Sequence, residues 1–331
     1  MLRLFANARY DFISVRHWAY GVTAAFILPG LIWLAIHGLN YSIEFTGGTL
    51  IQIQSKTPVD VASVRSGLDR EGIHGAEIQN FGAPSEFVVR ARVFKTGTDA
   101  NDTPATADAV QKALTNVLGP GNFTIVRTEA VGPKVGGELR TKAFLAIFLS
   151  FFAVLAYLAY RFEWRFGLAA VIATAHDIVA TIAFISFARL EVSLTVVAAV
   201  LSMVGYSLND TIIIFDRVRE NLRKHKKESF EQILNRSVNE TLPRSVLTHG
   251  TTLSSLIALI IFGGEVIRPF ALVMFFGVFT GTFSSIYIAS PVLMAIEKRW
   301  PGELARGHLA PKAAPQPAPN GGGSRKPASV G

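Results

Sequence analysis

The sequence has no cysteine among its 331 residues. Structural disulfides and thiolate-bound metals are therefore excluded, and the redox state of the compartment leaves no mark on the chain. Charge is scarce too, at 17% of residues against about 25% in soluble globular domains. No His-Glu-x-x-His run and no Gly-x-Ser-x-Gly elbow occurs, which removes two common signatures of hydrolytic enzymes. The first apolar run lacks a small-residue cleavage site at its end and passes straight into a polar segment, so it reads as a retained anchor and not a signal peptide.

What is abundant is apolar side chain, 50% of the sequence. It is gathered into six runs, at 18–38, 143–160, 167–188, 193–215, 246–263 and 270–294. Each is close to the roughly 20 residues a helix needs to cross about 30 Å of hydrocarbon. Lys and Arg number three before the first run, two in 161–165, eight in 217–244 and six after 297, with only Arg189 and Arg268 in the intervening short loops. Short cytoplasmic loops carry the positive excess. The expectation is a multi-pass membrane protein with both termini cytoplasmic. The net charge of +8 then serves orientation and contact with membrane lipids, and no nucleic-acid partner is implied.

The expected organisation is a cytoplasmic N-terminus at 1–17, span 1 at 18–38 and an external domain at 39–142. Spans 2–6 follow at 143–294 with a basic cytoplasmic loop at 217–244, then a disordered cytoplasmic tail at 295–331, rich in Ala-Pro and Gly. A structureless insert of about a hundred residues would be unusual. Strand-like alternation at Thr49–Gln54, Glu77–Phe81, Glu86–Phe94 and Phe123–Val131 is interleaved with helical spacing at Val59–Glu71 and Ala105–Leu118. The order βαββαβ predicts an α+β ferredoxin-like domain inserted into an all-α six-helix membrane bundle.

Ionisable residues inside membrane helices are costly, at about 2.5–3.5 kcal/mol on insertion scales. Asp210, in GYSLNDTIIIF, lies six residues before Asp216 and Arg217. It reads either as a proton-binding group or as a member of a fixed ion pair. Arg244 opens the fifth span, with Thr248, Thr251, Thr252 and Ser255 at the spacing of one helix face. That face can glue helices or carry water, and the arginine is expected to reach Asp210. His176 and Asp177, adjacent near the middle of the third span, point about 100° apart. They read as packing groups or as a proton relay.

The stretch GYSLNDTIIIFDRVREN at 205–221 resembles the fourth-span signature of the SecF family, within the RND superfamily. His176-Asp177 and LPRSVLTHGTTLSS at 242–255 are similar to its companion motifs. YSIEFTGG at 41–48 resembles the family's Gly-Ile-Asp-Phe-x-Gly-Gly element, with Ser42 for the glycine and Glu44 for the aspartate. The resemblance implies a bundle of RND type completed by the spans of SecD, acting in protein export with no catalytic reaction of its own and with protons as coupling ion, no cofactor and no metal. It implies SecD, the SecYEG channel, YajC, YidC and translocating preproteins as partners. It also implies a proton pathway at Asp210 and Arg244, accompanied by Asp177, His176, Asn209, Thr248, Thr251 and Thr252. Glu44, Gly47, Gly48, Gly205, Asp216, Arg217 and Arg219 then belong to interface or structural motifs. Half of a small-molecule or lipid exporter, and a passive assembly scaffold, are the competing expectations.

Overall fold

The structure, a computed structural model, describes residues 8–91 and 103–309. Six of its helical segments are long and apolar enough to cross a membrane. They are α1 (Arg16–His37), α5 (Pro133–Arg161), α6 (Trp164–Phe187), α7 (Leu194–Lys224), α8 (Phe230–Phe262) and a last one built from α9 (Gly264–Ser284), a π-helical turn (Ser285–Ala289) and α10 (Ser290–Arg299). Between α1 and α5 lie β1 (Asn40–Tyr41), α2 (Ile43–Thr46), β2 (Gly48–Ser55), α3 (Val61–Arg70), β3 (Glu77–Phe81), β4 (Ala83–Ala91), α4 (Thr103–Leu118) and β5 (Phe123–Val131). A two-residue β6 (Glu191–Val192) joins α6 to α7, and α11 (Glu303–Leu309) follows α10.

The helix ends follow local chemistry. α5 opens with Pro133 after Gly132, where a missing N–H costs nothing. α7 begins behind Ser193, whose Oγ accepts from Val196 N. α8 begins with a reciprocal capping box between Ser229 and Gln232. In the bundle, α6, α7 and the last span are about half buried, whereas α1, α5 and α8 keep most of their surface exposed. Glycine sets the closest approach. A Cβ on Gly281 would lie 2.7 Å from the Cβ of Ser207, and one on Gly277 would lie 2.8 Å from that of Met203. Small residues at such crossings let membrane helices pack without a hydrophobic driving force.

The inserted unit has one four-stranded sheet in the order β3-β4-β2-β5, antiparallel throughout. Its core joins Ile51, Ile53, Val89 and Phe87 of the sheet to Val64 and Leu68 of α3 and to Val110 and Leu114 of α4. Asp60 caps α3 by accepting from the N–H groups of Ala62 and Ser63. The unit meets the bundle at a small second sheet, in which β1 pairs in parallel with β6.

Three expectations need correction. Residues 217–244 are not a loop: α7 runs to Lys224 and α8 starts at Phe230. The ion pairs Arg217–Glu220 and Lys224–Glu220 lie at helical spacing there and sustain a helix beyond the apolar run. The second span's helix starts at Pro133, ten residues before its apolar run. The tail expected to be disordered from 295 is helical through Arg299 and again in α11, whose Ala305 and His308 are buried. The remainder of that tail, residues 310–331, lies outside the described residues, as do 1–7 and 92–102, which include the end of the strand expected at Glu86–Phe94.

Candidate functional site

Two carboxylates sit deep in the bundle, one helix apart. Asp177 of α6 is fully buried where α6, α7 and α9 meet. Its Oδ2 accepts hydrogen bonds from Ser207 Oγ at 2.5 Å and Ser284 Oγ at 2.7 Å, and its Oδ1 lies 3.0 Å from His176 Nδ1. The adjacent His176 and Asp177 therefore engage each other, while the His176 Nε2 is buried without a partner. One helical turn beyond Ser207 on the same α7 face, Thr211 Oγ1 meets Ser285 Oγ at 2.9 Å. Ser285 begins the π turn, and such turns occur frequently at functional sites.

Asp210 of α7 points to α8. It is buried, and its Oδ1 accepts from Ser245 Oγ at 2.5 Å, whereas its Oδ2 is buried with no hydrogen-bond partner. His249, one turn beyond Ser245 on α8, is buried with its Nδ1 unpartnered. Its ring lies 5.4 Å from that of Tyr206, and the Tyr206 hydroxyl meets Thr252 Oγ1 at 2.5 Å and donates to Thr248 O at 3.1 Å. An unsatisfied carboxylate oxygen and an unsatisfied imidazole nitrogen thus lie along one helix contact.

The polar stripe of α8 divides differently from its sequence spacing. Arg244, Thr248, Thr251 and Ser255 are exposed, and Arg244 makes no ion pair with Asp210. The side chain that bonds Asp210 is Ser245, while His249 and Arg244 act on it only through their charge. The signal for Ser245 and His249 was present, since they lie four apart in LPRSVLTHGTTLSS, but periodicity does not say which face turns inward. Gly205 and Asn209 share an exposed face of α7. Ser207, Ser284, Ser285 and Tyr206 also join the site, and small or aromatic residues in apolar runs gave no separate signal for them.

The remaining motif residues fasten the two ends of α7. At one end Asp216 pairs with Arg161 at 3.0 Å, Arg219 lies over the Phe162 ring at 5.7 Å, and Arg217 reaches Glu220 and Glu240 at 2.6 Å each. At the other end Glu44 Oε2 accepts from Leu194 N at 2.6 Å, so α2 caps the first turn of α7 with a negative charge. Gly47 and Gly48 hold φ of 72° and 139°, and a Cβ on Gly47 would lie 2.7 Å from Pro133 Cα. Only glycine fits this turn. Among the described residues no group of three or more His, Asp or Glu is disposed to hold a metal ion.

A bundle of six apolar spans with ionisable groups at its internal helix contacts defines the class of multi-pass membrane proteins. Residues 109–299 match the family described as protein export membrane protein SecD/SecF, C-terminal, and residues 32–59 match the SecD/SecF GG motif. The protein translocase subunit SecF of Gemmatimonas aurantiaca is 59% identical over 307 residues, covering 91% of both chains. That of Rickettsia felis is 38% identical over 299 residues, covering 90% of this chain and 96% of the relative. The chain belongs to the SecF family of protein translocase subunits. The crystal structure of SecDF, a translocon-associated membrane protein from Thermus thermophilus, matches with a TM-score of 0.79 at 34% identity, over 89% of this chain and 39% of that one. SecDF in its super-membrane-facing form matches with a TM-score of 0.65 at 34% identity, over 90% of this chain and 40% of that one. The chain therefore spans about two-fifths of the length of those solved chains.

Proposed function

We propose that this chain is the SecF half of a proton-driven protein-export motor in the bacterial inner membrane, acting with SecD on preproteins emerging from the SecYEG channel. The observation that carries this reading is Asp210: a buried carboxylate with one free oxygen, on the helix whose far end is capped by the root of the inserted domain. Protonation there changes the charge inside the bundle, and about 2.3 kcal/mol is available per charge moved through 100 mV. Asp210 and Arg244, with Asn209, Thr248, Thr251 and Thr252, form the coupling region, and protons are the only coupling ion. Asp177 and His176 stand beside it, and the chain carries no catalytic reaction of its own.

The SecD partnership is supported by the fused SecDF chains it resembles and by chemistry. Arg244, Thr248, Thr251 and Ser255, with Gly205 and Asn209, turn polar surface out of the bundle at membrane depth. Polar groups in that position face a protein interior or a water-filled cavity, so the helices of SecD cover this face. YajC and YidC are proposed as further partners in the same assembly. The inserted unit is read as ferredoxin-like, supported by its antiparallel order β3-β4-β2-β5 with two helices, and as external. Both termini are read as cytoplasmic, supported by the excess of Lys and Arg near the α7–α8 connection and after α10.

Asp210→Asn tests the motor directly, because it keeps size and hydrogen bonding and removes the titrating proton. The expected outcome is normal assembly with SecD and loss of proton-driven export in energised vesicles, because an ionisable membrane residue that carries the coupling cannot be replaced by a neutral one. Full export by a fully assembled Asp210→Asn complex would overturn the assignment of Asp210.

A further inference from the structure

The inserted sheet and α7 touch at few points. β1 and β6 pair over only two residues, and so short a ladder does not hold itself together in water. What braces it is charge. Arg90 of β4 reaches across to Glu191 of β6 and lies 3.7 Å from Glu77 of β3. Its side chain is only 12% exposed, and its Nε and Nη1 are buried without hydrogen bonds. On the other side of the same contact, Glu44 of α2 caps α7 through Leu194 N. Two carboxylates, Glu191 and Glu77, thus flank one guanidinium, and the charge of Glu44 bears on Glu191, at the place where the sheet is seated on the helix that carries Asp210.

We propose that Arg90 and Glu191, together with Glu44, are positioning residues of a joint that ties the inserted sheet to α7. This rests on the external placement of the sheet proposed above, and it adds the route by which a displacement of α7 reaches the sheet. Asp210 lies 16 residues from Leu194, or about 24 Å at the helical rise, so the joint acts through a stiff rod and not through contact.

The joint responds to pH. The charged groups facing Glu191 are Arg90, Glu44 and Glu77. Burial pushes the Glu191 carboxyl above its ordinary value; Arg90 opposes that push, and Glu44 and Glu77 add to it. A group that holds its proton more tightly in the closed joint than in the open one favours closure as pH falls. Its contribution is fully present below the usual Glu value of about 4.3 and is lost as pH rises through the raised value. Acid on the external side therefore tightens the seat of the sheet, and Arg90 is what keeps it closed once Glu191 is ionised.

The absence of native cysteine makes a direct test available. In the full chain assembled with SecD in membrane vesicles, Tyr41→Cys with Val192→Cys places two thiols on paired positions of β1 and β6. Disulfide formation is driven by diamide as oxidant, and each variant is read as a ratio to the parent pair at the same pH, which cancels thiol ionisation. Arg90→Met is expected to slow cross-linking about fivefold or more at neutral pH, because it leaves an ionised Glu191 buried without its partner, with the ratio returning towards one in acid. Glu191→Gln, which stays neutral like the protonated acid, is expected to cross-link faster than the parent at neutral pH, with the ratio returning to one in acid. Equal rates for Arg90→Met and parent at neutral pH, or cross-linking of Glu191→Gln no faster than the parent there, would overturn the joint. A further arm tests coupling: Arg90→Met should lose proton-driven export by about fivefold or more at neutral external pH, and regain it once the engineered disulfide has stapled β1 to β6. Loss without rescue would overturn the positioning role. Cross-linking needs no export, so normal export by Asp210→Asn alongside the expected ratios would remove the motor reading and leave the joint standing.

Discussion

Asp177 and Asp210 are both buried carboxylates in one bundle, on neighbouring helices, yet their surroundings differ in kind. Asp177 has both oxygens engaged, by two serine hydroxyls from α7 and α9 and by His176. Asp210 has one oxygen on Ser245 and the other on nothing. A carboxylate that ties three helices together cannot change its bonding without disturbing all three. One with a free oxygen can take a proton and keep its only hydrogen bond. Burial alone therefore does not single out a coupling residue in the proposed motor; the number of donors aimed at it does.

The comparison breaks hardest at Asp177. Asp177→Ala strands the hydroxyls of Ser207 and Ser284 and the His176 ring, and breaking a buried polar pair typically costs about 3–5 kcal/mol. Denaturant unfolding of detergent-solubilised protein should register that loss. Asp210→Asn should lose far less, because it keeps the one hydrogen bond to Ser245. Equal stability of the two variants would erase the distinction. A smaller effect is expected from Gly281→Ala, which drives a methyl group against Ser207. Overpacking costs about 1–3 kcal/mol, and in combination with Asp177→Ala the losses should fall short of additive, because both act on one node. Smaller than that of Gly281→Ala is the stability effect of Ser245→Ala, which removes one hydrogen bond worth about 0.5–1.5 kcal/mol. Its sharper signature is a displaced pH profile of proton-driven export, a displacement that Ser207→Ala should not produce.

The spans were legible because apolar length is a direct imprint of the bilayer. Their true ends were not, because hydropathy marks where lipid stops and says nothing of where the helix stops. Lys224 and Phe230 bound a connection far shorter than the apolar runs suggested, held helical by charged pairs that hydropathy counts as loop. In the inserted unit, β3 and β5 fall at the bounds that alternation indicates, since one face of each packs on a core. At the site, Asp210 and Asp177 stood out as charges among apolar neighbours. Arg244 was expected to be the partner of Asp210 because it is the nearest cation on a polar face. The bundle turns that face outward and offers Ser245, one residue further and about 100° around the helix. Of the Asp177 junction the carboxylate was legible, and packing was one of its two readings; its serine partners were not, because they come from helices distant in sequence and each is ordinary on its own.

The first span is fastened by partners made much later in the chain. Asn235 Oδ1 accepts from the N–H groups of Phe12 and Ile13, and Asn235 Nδ2 donates to Asp11. Asn239 Oδ1 accepts from Tyr10 N, and Asn239 Nδ2 donates to Tyr10 O. These contacts span more than 220 residues of sequence. During synthesis at about 5–20 residues per second, α1 thus stays without this clasp for roughly ten seconds or more after it leaves the ribosome. The seat of the inserted unit on Leu194 is also absent until α7 is made. The order of manufacture thus closes the two ends of the bundle in turn: the fourth span brings the seat of the inserted unit, and the fifth brings the clasp for residues that were made at the start.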